Sequence, residues 1–273
     1  MAIETAPTPA DHSLSPTSAS ASEKTLLVLE AALTHPRFTE VVDATGLAKA
    51  TTHRILATLI ARGFIALAAD GSYLPGPKIL SLAGRALLRI DISAIAQPFV
   101  DDLVPRVQCT VHVGVANGDE VVYLIRSDSD KPYQMPSRVG LAIPMHSSGI
   151  GKVILSGYTD DGLERFVARA GLPYRTPHTI TTLEGLRAEV QDVRRLGYAL
   201  DREENVPGVG CVAAPIRDHT GRITYGISIS TLTLEHTFEQ LSSMAALAIE
   251  TADNISTALG HATPPPPQSI STK

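Results

Sequence analysis

The side chains best suited to chemistry fall into two groups. The first is Lys49, Thr51, Thr52, His53, Arg54 and Thr58, all within one helical pattern from about Ala48 to Ala61. At helical spacing Thr51, Arg54 and Thr58 share a face, and His53 lies on its rim. Ile55, Leu56, Leu59 and Ile60 form the opposite, apolar stripe that should face a core. Lys49 and Arg54 suit phosphate oxygens or guanine edges, and the hydroxyls of Thr51 and Thr52 can bond phosphate or base. A helix start also favours a phosphate. Such a surface suits the major groove of double-stranded DNA; on a plain packing module the same charges would simply be solvated.

The second group lies further along the chain. Ser228 and Ser230 are two apart in a strand pattern at Tyr225–Ser230, so both hydroxyls point to one face. Cys211 opens another strand pattern, Cys211–Ile216. As a nucleophile it would need His146, His178 or His219 as base. No catalytic-cysteine signature surrounds it, and its apolar neighbours disfavour a thiolate. His112, His146 and Asp201 could meet a metal, but they lack a close-spaced ligand motif. The expectation is therefore no catalytic residue, no metal and no cofactor.

These groups need elements to position them. Short helical patterns at Thr25–Leu33 and Thr39–Thr45, the second stopped by Gly46, precede the Ala48–Ala61 helix. Phe64–Leu67, the Asp70-Gly71 turn and Ser72–Leu74 then read as a β-hairpin. Helix, glycine, helix and hairpin make a winged helix-turn-helix over residues 23–76. Residues 77–108 read as a helical linker, with Pro98 and Pro105 expected to break or kink its second part. Its apolar face, from Ile79 through Ile90, needs a partner, and self-association into a dimer is the preferred use. Residues 109–260 read as an α+β domain around an antiparallel sheet. Its strand patterns are Thr110–Val115, Val121–Arg126, Cys211–Ile216 and Tyr225–Ser230. Helical patterns fall at Gly151–Ser156, Gly162–Ala170, Leu183–Leu196 and Thr237–Leu259. Residues 1–22, rich in Ala, Ser, Thr and Pro, and residues 261–273, with four consecutive prolines, read as disordered tails.

Composition narrows the classes. The 273 residues suggest about two domains, and 44% hydrophobic content supports ordinary cores. No apolar run is long enough to span a membrane, and the first 22 residues lack a signal-peptide pattern. Two cysteines build no disulfide framework, so a reducing, cytoplasmic setting is expected. With no Trp, 5 Phe and 7 Tyr, a stacking platform for single strands is disfavoured. The net charge is −5, yet residues 23–85 carry seven basic against five acidic side chains. Only that block permits an electrostatic footprint for DNA.

At this point three stretches resemble the IclR family of bacterial transcription regulators. The first is Thr45-Gly46-Leu47-Ala48-Lys49-Ala50-Thr51-Thr52-His53-Arg54-Ile55-Leu56. The second is Pro144-Met145-His146-Ser147-Ser148-Gly149-Ile150-Gly151-Lys152. The third joins Asp201-Arg202-Glu203-Glu204 to Gly208-Val209-Gly210-Cys211-Val212-Ala213-Ala214-Pro215-Ile216. One departure is Ala50, where the family usually has Ser. The resemblance implies a winged helix-turn-helix, a linker helix and a GAF-like α/β effector-binding domain. It also implies homodimers or homotetramers on operator DNA, controlled by a small-molecule effector and without a membrane partner. It further implies that backbone amides at Gly149 and Ile150 hold an effector carboxylate. Asp201, Cys211, Ser228 and Ser230 would form the polar wall, with Met135 as an apolar one. Each has a plainer reading: a helix-entry glycine, a turn cap at Asp201, a small buried Cys211, serines bonded to backbone. The effector expected is a small carboxylate or aromatic acid. A sensor module that never touches DNA, and a cysteine-dependent hydrolase, are the competing classes.

Overall fold

The computed structural model describes residues 19–87, 90–131 and 135–262. The expected tails therefore lie mostly outside the described residues. The chain divides into two compact units, one ending at Ile90 and the other beginning at Asp91.

The first unit opens inside the stretch read as a tail. Ser20 accepts a hydrogen bond from the Glu23 N–H, and the Glu23 carboxylate accepts one from the Ser20 N–H. This reciprocal capping box starts α1 (Ala21–Thr34) four residues before the apolar periodicity does. Helix α2 (Phe38–Thr45) stops at Gly46, whose φ of 63° suits a residue without a Cβ. Helix α3 (Lys49–Ala61) follows, then β1 (Ile65–Leu67) and β2 (Tyr73–Pro75), paired antiparallel as the wing. Arg37 steadies the wing's tip, donating from Nη1 to the Asp70 carbonyl at 2.8 Å and pairing with its carboxylate. Val28, Ala32, Val41, Leu56, Leu59 and Ile65 form the core.

The expected single linker is two helices in different units. Helix α4 (Pro77–Leu87) belongs to the first and buries none of its residues; Leu80 is 66% exposed. Helix α5 (Ile92–Val107) belongs to the second and continues through Pro98 and Pro105 without a break. Ala96, Val100, Leu103 and Val107 anchor it in a core on one face of the sheet, which offsets the lost helical bonds.

The second unit is a six-stranded antiparallel sheet. Its strands are β3 (Thr110–Asn117), β4 (Glu120–Ser127), β5 (Ala142–Pro144), β6 (Ala199–Arg202), β7 (Val209–Arg217) and β8 (Ile223–Leu232). They run in the order β5-β4-β3-β8-β7-β6. Alternation separates the faces. Val111, Val113, Val212, Ala214, Ile227 and Ile229 point to the side covered by α5 and α10 (Ala245–Ala258). The other side carries α6 (Gly149–Leu155), α7 (Asp160–Ala170) and α8 (Leu183–Leu196) over a second core. The pattern expected as one helix, Thr237–Leu259, divides at Met244 into α9 (Phe238–Ser243) and α10.

Candidate functional site

In the first unit, α3 presents Lys49, His53, Arg54 and Thr58 to solvent, with Thr51 half-buried. Among the described residues neither Lys49 nor Arg54 has an acidic partner within ion-pair distance. His53 meets the Phe38 ring edge-on, with centroids 6.2 Å apart. No side chain caps the start of α3, so its first amides have no intrahelical partner. Thr52 departs from the expectation. It is fully buried, and its Oγ1 donates to the Ala48 carbonyl at 3.3 Å, so its hydroxyl is not available to DNA. The buried stripe is Thr52, Ile55, Leu56 and Leu59, spaced i, i+3, i+4, i+7, whereas Ile60 is 36% exposed.

In the second unit, a cavity of about 300 Å³ opens on the α6 side of the sheet. All seven residues expected at an effector site border it: Met135, Gly149, Ile150, Asp201, Cys211, Ser228 and Ser230. Register explains the convergence. One cross-sheet row reads Thr110, Ser230, Cys211, Asp201, and the next reads His112, Ser228, Ala213, Ala199. Asp201 and Ser230, far apart in sequence, are each the direct partner of Cys211.

Helix α6 reaches this floor because the residues beneath it are small. A Cβ on Gly149 would come within 3.0 Å of the Ala213 Cβ. One on Gly226 would come within 2.9 Å of Val153 and 3.1 Å of Ile150. Ser148 caps the helix through its hydroxyl, accepting from the Gly151 N–H at 3.2 Å. The Gly149 and Ile150 N–H groups are the first two of the helix, beyond the reach of its own carbonyls.

The polar groups of the floor form one connected set. His112 is held between Ser230 Oγ, 3.2 Å from Nδ1, and Ser137 Oγ, 2.8 Å from Nε2. Its ring stacks on Tyr123 with centroids 4.4 Å apart. Ser228 Oγ lies 3.4 Å from Ser230 Oγ. Burial, aided by the Arg126 charge, lowers His112 to about 4, so the ring is neutral at pH 7. Burial also pushes the Cys211 thiol and the Tyr123 phenol well up, reinforced by the nearby Asp201 charge. Cys211 therefore presents a thiol, with Ser230 as its hydrogen-bond neighbour. Burial raises Asp201 to about 7, against the pull of Lys152. Its Oδ1 accepts the Glu204 N–H at 2.7 Å, so Asp201 both caps a turn and borders the cavity.

The trio weighed as metal ligands is not brought together. His146 does not border the cavity; its Nε2 lies 3.1 Å from the Pro173 carbonyl. Sequence reasoning did not place His112, Tyr123 and Arg175 at the effector site, although all three line the cavity. The signal for His112 was present, as the polar alternate between buried Val111 and Val113 on a strand. Arg175 arrives on an irregular segment that has no periodicity to read.

A winged helix-turn-helix and a separate sheet domain with an internal polar cavity define a DNA-binding regulator that answers to a small molecule. The family model described as "Bacterial transcriptional regulator IclR C-terminal" matches residues 84–257, and "IclR helix-turn-helix domain" matches residues 22–67. The chain is 31% identical to the HTH-type transcriptional regulator KdgR of Escherichia coli, over 82% of this chain and 85% of KdgR. It is 31% identical to the E. coli HTH-type transcriptional repressor AllR, over 77% of this chain and 78% of AllR. The crystal structure of Thermotoga maritima IclR superposes with a TM-score of 0.61 at 30% identity, covering 88% of this chain and 98% of that one. The chain belongs to the IclR family: it is an IclR-type DNA-binding transcriptional regulator with a C-terminal effector-binding domain.

Proposed function

We propose that this regulator binds its operator through Lys49, Thr51, His53, Arg54 and Thr58 of α3, and that a small organic acid in the second unit sets its affinity. The acid's carboxylate meets the Gly149 and Ile150 amides and Asp201, and its remaining polar groups meet Cys211, Ser228 and Ser230. Met135 covers the apolar side. One observation carries this reading: seven residues from five separate stretches of sequence converge on a single cavity. Neutral hydroxyls, a protonated thiol and a neutral imidazole favour binding over covalent chemistry there, so no catalytic role is assigned. The exposed apolar side chains of α4 and α1, among them Leu80, Leu82 and Leu26, suit self-association into a homodimer or homotetramer. No described helix is long and apolar enough to cross a membrane, which fits a protein that works on DNA in the cytoplasm.

Fluorescence anisotropy on the DNA upstream of the protein's own gene tests the reading. A scrambled duplex is the control, and salt is titrated. Preference for the native fragment, altered by one of a panel of organic acids, supports it. Acid binding that leaves DNA affinity unchanged refutes the regulatory link, and equal affinity for both duplexes refutes sequence-specific binding.

A further inference from the structure

Asp201 is buried at the end of the polar row, and the buried cation beside it is already engaged. Lys152 Nζ has three protons and three close acceptors: the Leu200 carbonyl at 2.6 Å, Glu204 Oε1 at 2.5 Å and Glu189 Oε1 at 2.8 Å. One ammonium therefore faces two carboxylates before Asp201 is counted. The other groups around Asp201 supply no balancing charge. Tyr123 from β4 and Cys211 from β7 stay protonated, and His112 from β3 is neutral. Among the described residues, Arg175 is the only cation lining the cavity. It is solvent-exposed, its Nε donates to the Asn205 carbonyl at 3.3 Å, and the exposed Glu120 carboxylate shares the lining with it.

An anionic effector placed against an ionised Asp201 would put two negative charges side by side, and the one lining cation, Arg175, is spread into solvent rather than buried beside Asp201. Carboxyl groups in that position share a proton. We propose that Asp201 meets the effector as a neutral carboxylic acid, donating a hydrogen bond to the effector's carboxylate, so that each bound acid is held with one proton between the two carboxyl groups. This rests on the acid-binding reading above. The proton resides on Asp201 because burial already raises its carboxyl to about 7, whereas ordinary carboxylic acids ionise near 4. A bound anion raises Asp201 further. Below about pH 7 the proton is already present, and above it the proton comes from solvent. Affinity then falls by up to about tenfold per pH unit.

Calorimetric titration of the full-length protein tests this. The probes are benzoate, 4-hydroxybenzoate and pyruvate, using whichever raises the melting temperature most. Binding at pH 8.5 is measured in Tris and in HEPES, whose protonation enthalpies differ. The expected result is uptake of close to one proton per acid, with affinity falling more than tenfold between pH 6.5 and 8.5. Benzamide or pyruvamide, being neutral, should bind without proton uptake. Asp201→Asn keeps a donor and removes the titration, so its affinity for the acid should be flat across that range. Acid binding with no proton uptake and constant affinity overturns the proposal, and the wild-type measurement alone decides it should D201N fail to fold. Absence of binding by every acid from pH 5.5 to 8.5 refutes the acid-binding reading itself, and the proposal with it.

Discussion

Lys152→Met removes the ammonium from beneath the cavity while leaving a side chain of similar length and bulk. Lys152 is 0% exposed, and Glu204, at 6%, has an Oε2 with no hydrogen-bond partner among the described residues to fall back on. Glu189, at 21%, can recover water. The cost therefore concentrates on Glu204. Stranding one partner of a buried pair costs about 3–5 kcal/mol. A stranded carboxyl can escape by taking up a proton, which from an ordinary value near 4.3 costs about 3.7 kcal/mol at pH 7. The two routes agree on about 3–4 kcal/mol, a melting temperature lower by roughly 10 °C. The protonation route also fixes a sign. At pH 5 the same escape costs only about 1 kcal/mol, so the penalty shrinks as pH falls. Alkylation of Cys109, buried in the second unit, during a urea series reports opening of that unit alone. The double variant K152M/E204Q, which leaves only the part-exposed Glu189 without its ion pair, should regain most of the loss. A K152M penalty below about 1 kcal/mol at pH 7.5, or one equal at pH 5 and 7.5, would refute the reasoning.

Three further outcomes are expected. Ser228→Val with Ser230→Val should abolish the response of operator affinity to acids while leaving DNA binding intact; a normal response in anisotropy would remove these hydroxyls from the site. Arg54→Ala should weaken operator binding by about 1–3 kcal/mol, or roughly 5- to 150-fold, whereas Thr52→Val should leave it unchanged because the Thr52 hydroxyl is buried. The third concerns pH. His112, lowered to about 4, favours unfolding as pH falls from 6.5 to 4, by about 3 kcal/mol. Asp201, raised to about 7, acts oppositely, favouring unfolding as pH rises from about 4 to 7. Their contributions offset one another between pH 4 and 6.5. In His112→Gln, stability measured by denaturant titration should therefore fall with rising pH across that window; an unchanged profile would show that folding does not hold His112 neutral as described.

Local rules made much of this molecule legible. Gly46 as a helix stop, Asp70-Gly71 as a turn and Leu183–Leu196 as a helix depend on neighbours a few residues away, and they stand where periodicity places them. The errors are also local in kind. The start of α1 is set by the side chain of Ser20, which hydrophobic periodicity does not register. Thr52 is polar by type but lies on the apolar stripe by spacing, and position prevailed over residue type.

The cavity divides along the same line. Strand alternation alone puts Ser228 and Ser230 on one face, and His112 opposite to Val111 and Val113. Nothing in the order of residues says that Asp201, Cys211 and Ser230 share a row, because register between β6, β7 and β8 is chosen by whole-sheet packing. Nor could a lysine in the Gly151-Lys152-Val153 run announce that it is wholly buried. That follows from Glu189 and Glu204, brought to it across 37 and 52 residues of chain by α8 and the β6–β7 turn. Residue types and spacing determined the elements and the family of the protein. The charge balance that governs Asp201 was decided only when tertiary packing removed these groups from water.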